Sequence, residues 1–288
     1  MTELDSIAIT GASTGIGKAC ALRFHELGWR VFAGVRRSAD GAALVAETSD
    51  RLTPVTIDVT RADTIAAAAE QIAAAVGDRG LKALVNNAGI GVGGPVEGLD
   101  LDKLRHQFEV NLFGQVAVTQ ALMPLLRAAR GRIVNMSSMG GKVSQPFMAP
   151  YCGSKHALEA FTDSLREELK PWGMHVAAIE PGVILTPIWD KARGEASDGR
   201  AAAPEHIKAL YGAAIERVTK ALADIPKRGI PAARVADAVE HAVTAARPRT
   251  RYPVGTDARL ALLLRRLLGD RAFYWLVGRL TAADGGIA

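Results

Sequence analysis

Three residues in one stretch have the types and spacing for proton chemistry. They are Ser138, Tyr151 and Lys155, within SMGGKVSQPFMAPYCGSK. If residues 149–170 form a helix, Tyr151 and Lys155 lie one turn apart on the same face. An ammonium beside a phenol favours the phenolate and lowers a pKa that is ordinarily about 10. The phenol then becomes a usable proton donor and acceptor. A serine hydroxyl alongside can hold a substrate oxygen. Taken alone, the Tyr-x-x-x-Lys pair also fits an ordinary half-exposed helix face, so the elements that position it decide the reading.

The chain opens with a short apolar strand at residues 6–10, then Gly11-Ala12-Ser13-Thr14-Gly15-Ile16-Gly17, then a helical pattern. A strand, a glycine-rich turn and a helix N-terminus form a phosphate cradle, with free N–H groups and the helix dipole favouring an anion. Gly11, Ser13, Thr14, Gly15, Ile16 and Gly17 are its candidate lining. The spacing is G-x-x-x-G-x-G rather than the familiar G-x-G-x-x-G. The same letters also spell G-x-S-x-G, the context of a hydrolase elbow with Ser13 as nucleophile. That alternative needs a histidine in a loop. His175 falls in a predicted strand and His241 in a predicted helix, which leaves His206.

Residues 30–35 read as a second strand, ending in Arg36 and Arg37. This strand end meets the adenosine ribose in such folds. An acid there suits a 2′-hydroxyl and an arginine suits a 2′-phosphate. The pair therefore favours NADP, with NAD possible; two solvated arginines are the plain alternative. Residues 52–57 are the third strand and deliver Asp58 and Val59. Asp58 can accept from an adenine amino group or cap the next helix. Residues 81–86 are the fourth strand, running into Asn87-Ala88-Gly89, a turn of small residues. Asn86 and Asn87 can brace that turn or lie against a ligand.

A long helical pattern covers residues 100–128, with a kink or break expected at Pro124. Asn111 inside it is mildly unfavourable for a helix and is expected to hold a carbonyl or a water at a local bulge. Residues 132–136 are the fifth strand and carry Ser137 and Ser138 at the carboxyl end, where open parallel sheets bind ligands. Residues 175–179 are the sixth, followed by Pro181, Gly182, Val183 and Thr186. Strands and helices alternate with short links. The expected fold is α/β: one Rossmann-type, doubly wound parallel sheet of about seven strands, with helices on both faces. The sheet domain spans residues 1–255, and residues 188–229 within it suit a substrate lid or an inert surface excursion. Residues 251–254 read as an edge strand, which suits Pro253.

Residues 256–288 form a C-terminal extension in which leucine clusters alternate with arginine pairs. Its amphipathic helices can close the pocket, join a subunit interface, or make peripheral contact with a membrane. The 288-residue chain is 49% hydrophobic and 23% charged, with a modest net charge of +5 and no dense basic block. A nucleic-acid partner has little support. Two lone cysteines, Cys20 and Cys152, argue against a disulfide framework or a structural zinc. No apolar run reaches the ~18 residues of a membrane span, and residues 1–5 carry no signal-peptide pattern. The expected location is the cytoplasm.

The combination of TGASTGIG, Asp58, NNAG, Asn111, Ser138, Tyr151-x-x-x-Lys155 and Pro181-Gly182 with Thr186 resembles a classical short-chain dehydrogenase/reductase over about residues 5–255. The phrases RVFAGV, LVNNAGI, ARGRIVNMSS, EAFTDSLREEL and IEPGVILTP resemble a subgroup with retinol, hydroxysteroid and 3-hydroxybutyrate dehydrogenases. The resemblance implies that Gly11, Gly15 and Gly17 cradle a pyrophosphate and that Asp58 and Val59 contact adenine. Asn87, Ala88 and Gly89 would line the cofactor; Pro181, Gly182 and Thr186 would flank the nicotinamide. Tyr151 would be the general acid/base and Ser138 would orient the substrate oxygen. Lys155 would lower the tyrosine pKa and bind the ribose, and Asn111 would hold a water in a proton relay. A homodimer or homotetramer is also implied. The arginine/leucine-rich extension departs from simpler members of the family.

The expected activity is hydride transfer between NAD(P) and a secondary alcohol or ketone. The apolar Val143, Pro146, Phe147 and Met148 and the leucine-rich tail suggest a hydrophobic substrate, though they also suit ordinary core. The alternatives are a non-catalytic NADP-binding regulator, or the Ser13 hydrolase. A sensor has no need of a complete Ser–Tyr–Lys set.

Overall fold

The computed structural model describes residues 4–190, 194, 203–223 and 229–280. The first half alternates strand and helix: β1 (Ser6–Ile9), α1 (Gly15–Glu26), β2 (Arg30–Val35), α2 (Ser38–Ala46), β3 (Leu52–Thr56), α3 (Ala62–Val76) and β4 (Ala83–Asn86). There follow α4 (Leu101–Phe108), α5 (Gly114–Ala128), β5 (Arg132–Met136), α6 (Ala149–Leu169) and β6 (His175–Pro181). The last part holds β7 (Ile184–Leu185), α7 (Glu205–Ala223), β8 (Ile230–Pro231), α8 (Ala233–Thr244), β9 (Arg251–Val254), α9 (Thr256–Leu267) and α10 (Asp270–Leu280).

Seven strands pair in parallel in the order β3-β2-β1-β4-β5-β6-β9. The chain builds outward from β1 to β3, then returns to the other side of β1 to continue with β4. That reversal opens a crevice at the carboxyl ends of β1 and β4, where such sheets bind ligands. Alternate residues serve opposite faces. Ile7, Ile9, Val31 and Ala33 pack with Phe24 of α1 and Val235 and Val239 of α8. Ala8, Phe32, Leu84 and Ile133 pack with Ile72 of α3 and Leu122 and Leu126 of α5. Both faces are covered, so the strands are almost continuously apolar, as buried parallel strands are. Pro54 and Pro253 lie on the edge strands β3 and β9, where a missing N–H costs least, and Pro181 ends β6.

The 100–128 helix is interrupted earlier than its proline suggests. A single π-type turn, Glu109–Phe113, separates α4 from α5, and Pro124 lies inside α5. The turn has two tertiary causes. Asn111 is turned inward, and Gly114 packs so closely that a β-carbon there would stand 2.5 Å from the Val59 carbonyl. Such turns are frequent at functional sites.

The excursion after β6 is tied at its neck. Ile184 and Leu185 pair in parallel with Ile230 and Pro231. Within it, α7 rests on the sheet domain. Tyr211 donates to Glu97 Oε2 at 2.8 Å, and its ring meets Phe147 edge-on with centroids 6.3 Å apart. Positions 191–193, 195–202 and 224–228 of the expected lid lie outside the described residues, as do positions 281–288 of the extension. α9 is joined to the sheet domain by Asp257, whose Oδ2 accepts from Val183 N at 2.7 Å. A β-carbon at Gly182 would overlap that carboxylate. Leu260, Leu263 and Leu267 of α9 and Trp275 of α10 are exposed. Among the described residues no helix is long and apolar enough to cross a membrane.

Candidate active site

The crevice is a cavity of about 270 Å³ that runs from the end of β2 to the start of α6. Its first wall is the turn after β1. Gly11 and Gly15 hold φ of 64° and 57°, the left-handed region that favours glycine. A β-carbon at Gly11 would stand 2.9 Å from Ala88 Cα, and one at Gly17 would overlap the Gly11 carbonyl and the Asn87 amide. The two loops are stitched together. Thr10 Oγ1 accepts from Asn87 N and Ala88 N at 2.9 and 3.0 Å. Asn87 Nδ2 donates to the carbonyls of Thr10 and Gly11 at 2.9 and 3.1 Å. Asn87 thus braces the turn and also lines the cavity. Asn86 does not: it is buried, donating to Thr119 and Asn135 at 2.8 and 2.9 Å.

At the β2 end the cavity is lined by Arg36, Asp58, Val59 and Thr60. Arg37 is not part of it. Its guanidinium is clamped to Asp40 by two bonds of 2.8 and 3.0 Å, so only Arg36 addresses the site. Asp58 Oδ1 accepts from Thr60 N and Oγ1 at 3.0 and 2.7 Å. Burial pushes this carboxyl up, but the Thr60 hydrogen bonds, Arg36 and Arg61 together hold it below its ordinary value.

At the other end stand Ser138, Tyr151 and Lys155, with Met136 and Ser137 beside them. β5 delivers the serine and the first turn of α6 delivers the tyrosine. Gly140 lets them meet: a β-carbon there would lie 3.2 Å from Tyr151 Cε1 and 3.4 Å from Ser138 Oγ. Ser138 Oγ accepts from Gly140 N at 3.0 Å and hydrogen-bonds Tyr151. Lys155 is buried, 4% exposed. Its Nζ donates to the Met136 carbonyl at 2.7 Å and lies 6.0 Å from the Tyr151 ring centroid.

Burial pushes the Lys155 ammonium down to about 8, with Glu159 working against the fall. Tyr151 moves the other way from the expectation. Burial raises the phenol above its ordinary value, and the Ser138 hydrogen bond only partly offsets that. The sequence shows the lysine's charge but not the desolvation of the ring.

Asn111 sits at the π-type turn behind the cavity rather than in its wall. Its Oδ1 accepts from Ile90 N at 2.9 Å, and its Nδ2 donates to Ile90 O and Ser154 Oγ at 3.0 and 3.1 Å. Gln107 grips the same segment, accepting from Val92 N at 2.6 Å and donating to Ile90 O at 2.8 Å. Sequence reasoning missed Gln107, and nothing in the sequence sets this helix glutamine apart. It also missed Ile90, Gly91, His106, Ile188 and Trp189, all of which line the cavity.

Of the remaining candidates, Ser13, Thr14, Gly15, Ile16, Ala88, Gly89, Pro181, Gly182 and Thr186 line the cavity, whereas Gly17 and Val183 do not. Gly17 is a packing contact, and Val183 gives its N–H to Asp257. The 140s segment is also mostly elsewhere. Val143 is core, and Phe147 and Met148 pack against Gly93. None of the three histidines weighed as a base for the hydrolase alternative lines the cavity with Ser13. His175 opens β6, His206 lies on α7, and His241 bonds Tyr252 at 2.9 Å.

An elongated groove with a glycine cradle at its centre, a guanidinium at one end and a buried Ser–Tyr–Lys cluster at the other fits a dinucleotide laid against a proton donor. The fold and site together define a Rossmann-type oxidoreductase. The comparison with known proteins agrees. Residues 5–197 match the family described as short chain dehydrogenase, and the chain belongs to that family. Retinol dehydrogenase 16 of Mus musculus is 40% identical, over 93% of this chain and 87% of that one. The NADPH-dependent 3-dehydrocapnine reductase of Ornithobacterium rhinotracheale is 36% identical, over 95% of this chain and 97% of that one. A short chain dehydrogenase of Burkholderia cenocepacia J2315, solved in complex with NADP, superposes with a TM-score of 0.72 at 27% identity, covering 96% and 98% of the two chains.

Proposed function

We propose that this protein is an NADP(H)-preferring oxidoreductase that interconverts a secondary alcohol and a ketone on a hydrophobic substrate. One observation carries the reading: Ser138, Tyr151 and Lys155 converge at one end of a cavity whose other end presents Arg36. Two of the similar proteins are named or titled with NADPH or NADP, and a third as a retinol dehydrogenase. Ile188 and Trp189 give the cavity an apolar wall near Pro187.

NADPH bound in the groove would supply the hydride. The chain handles the proton. Ser138 Oγ accepts from Gly140 N, and the hydroxyl hydrogen that faces Tyr151 can turn to a substrate oxygen between them. In reduction the Tyr151 hydroxyl gives its proton to that oxygen, and in oxidation the phenolate takes it back. The Lys155 ammonium favours the phenolate that reduction leaves behind. Asn111 and Gln107 fix the segment at Ile90 that walls this end of the cavity. Pro181, Gly182 and Thr186 also line the cavity, and Asp257 holds the amide of the neighbouring Val183.

The test is turnover of steroid, retinoid and short-chain ketones with NADPH, in wild type and Tyr151→Phe. The reading predicts that Tyr151→Phe keeps cofactor affinity and loses turnover. Equal turnover in both proteins would refute it. Cofactor binding without turnover of any ketone or alcohol would favour a regulator.

A further inference from the structure

A buried charged cluster lies behind the Tyr–Lys pair, outside the cavity wall. Glu159 follows Lys155 by one turn on α6, and its side chain is 2% exposed. Helical side chains lean toward the preceding turn, so this carboxylate covers the turn that carries Lys155. Gly141 permits the approach. A β-carbon there would stand 2.9 Å from Glu159 Cγ, 2.8 Å from Ser137 Oγ and 3.1 Å from the Lys155 carbonyl.

Every element around Glu159 adds a charge. Arg251 of β9 donates to its Oε2 at 3.0 and 3.1 Å. Lys142, in the segment after β5, approaches the same oxygen at 3.3 Å. Glu180 of β6, with its side chain 3% exposed, lies 3.2 Å from Arg251 Nε. Asp163, a turn further along α6, takes Arg251 at 2.6 Å and Arg166 at 2.7 Å. Lys155 itself faces the Met136 carbonyl of β5 and Tyr151 of its own helix. A β-carbon at Gly89 would lie 3.8 Å from Lys155 Nζ and 3.3 Å from Asn111 Oδ1.

A buried ammonium surrounded only by dipoles tends to lose its proton. Burial accordingly lowers Lys155 to about 8, and Glu159 is the charge that opposes the loss. Glu159 and Glu180 share Arg251, and each negative charge disfavours ionisation of the other. Glu180 is raised to about 7, first by burial and then by Glu159.

We propose that Glu159 is a positioning residue for proton transfer: anchored by Arg251 and Lys142, its carboxylate keeps Lys155 an ammonium. The proposal rests on the reading of Lys155 as the group that supports Tyr151.

The experiment reads Lys155 without any substrate. Amine labelling by a small acylating reagent, followed across pH by mass spectrometry of the full-length protein, gives the lysine's titration midpoint. Wild type is expected near 8. Glu159→Gln should lower the midpoint by about one pH unit, or roughly tenfold faster labelling at a fixed pH below it. Glu159→Asp should restore part of the shift. Glu180→Gln removes the competing carboxylate and should leave the midpoint in place or raise it. The high-pH limb of turnover should follow the labelling midpoint in each variant. An unmoved midpoint in Glu159→Gln overturns the proposal. So does an equal fall in both glutamine variants, which marks loosened packing rather than lost charge. A shifted midpoint in a protein that turns over no ketone supports the charge role and refutes the enzyme reading instead.

Discussion

Cofactor choice should hang on Arg36 alone. The sequence offers two arginines at the end of β2, but Arg37 is held by Asp40 at 2.8 Å and its side chain is 78% exposed. Arg36 lines the cavity and lies close enough to Asp58 to lower that carboxyl. A charge-assisted hydrogen bond contributes about 1.5–3 kcal/mol when well sheltered. Arg36 is exposed, so solvent and salt screen it. A loss of about 1–2 kcal/mol is the reasonable expectation, or roughly 5- to 30-fold in dissociation constant. Fluorescence titration of Arg36→Ala with NADPH and NADH should show NADPH weakened by this factor and NADH nearly unchanged. Arg37→Ala should bind both as wild type does. The NADPH advantage of wild type should also shrink as salt rises. Equal weakening of both cofactors by Arg36→Ala, or a larger effect from Arg37→Ala, would refute the argument.

Tyr151→Phe should reduce turnover by about 10²- to 10⁴-fold, the usual worth of a positioned acid/base, while cofactor titration stays unchanged. Gly17→Ala should weaken NADPH binding about tenfold or more in the same titration, because its β-carbon overlaps the Gly11 carbonyl and the Asn87 amide that shape the turn. Glu180 gives a stability prediction with a definite sign. Its carboxyl rises from 4.5 to about 7 on folding, so the folded chain binds the extra proton between those values. The contribution of Glu180 to stability therefore falls as pH rises through that window. Denaturant titrations should show the fall in wild type and a flatter profile in Glu180→Gln.

The local signals were strong where chemistry and backbone geometry meet. A glycine-rich turn after an apolar strand has few uses, and Gly11 and Gly15 do occupy the left-handed region there. Tyr151 and Lys155 are one helical turn apart whatever surrounds α6. The alternation of apolar strands and helices pointed to a parallel sheet with helices on both faces, because such strands need both faces covered. Asn111 stood out because an asparagine inside a helix needs a reason, and the π-type turn supplies it.

What the sequence could not reveal depends on which residues meet across long stretches of chain. Arg36 and Arg37 are neighbours in type and position; only the clamp to Asp40 separates their roles. Gln107 gave no warning, because a glutamine on a helix is ordinary until its partners at Ile90 and Val92 are known. The extension after β9 looked separable, yet Asp257 carries a hydrogen bond to Val183 beside the cavity, across 74 residues of sequence. The charge on the Tyr151–Lys155 pair is likewise a tertiary property. Sequence sets the two side chains side by side, but burial pushes the phenol up and the ammonium down, and Glu159 opposes the second shift. Spacing along a helix fixes which groups can act together; the dielectric around them, and the charges brought from other strands, exist only once the sheet has closed over them.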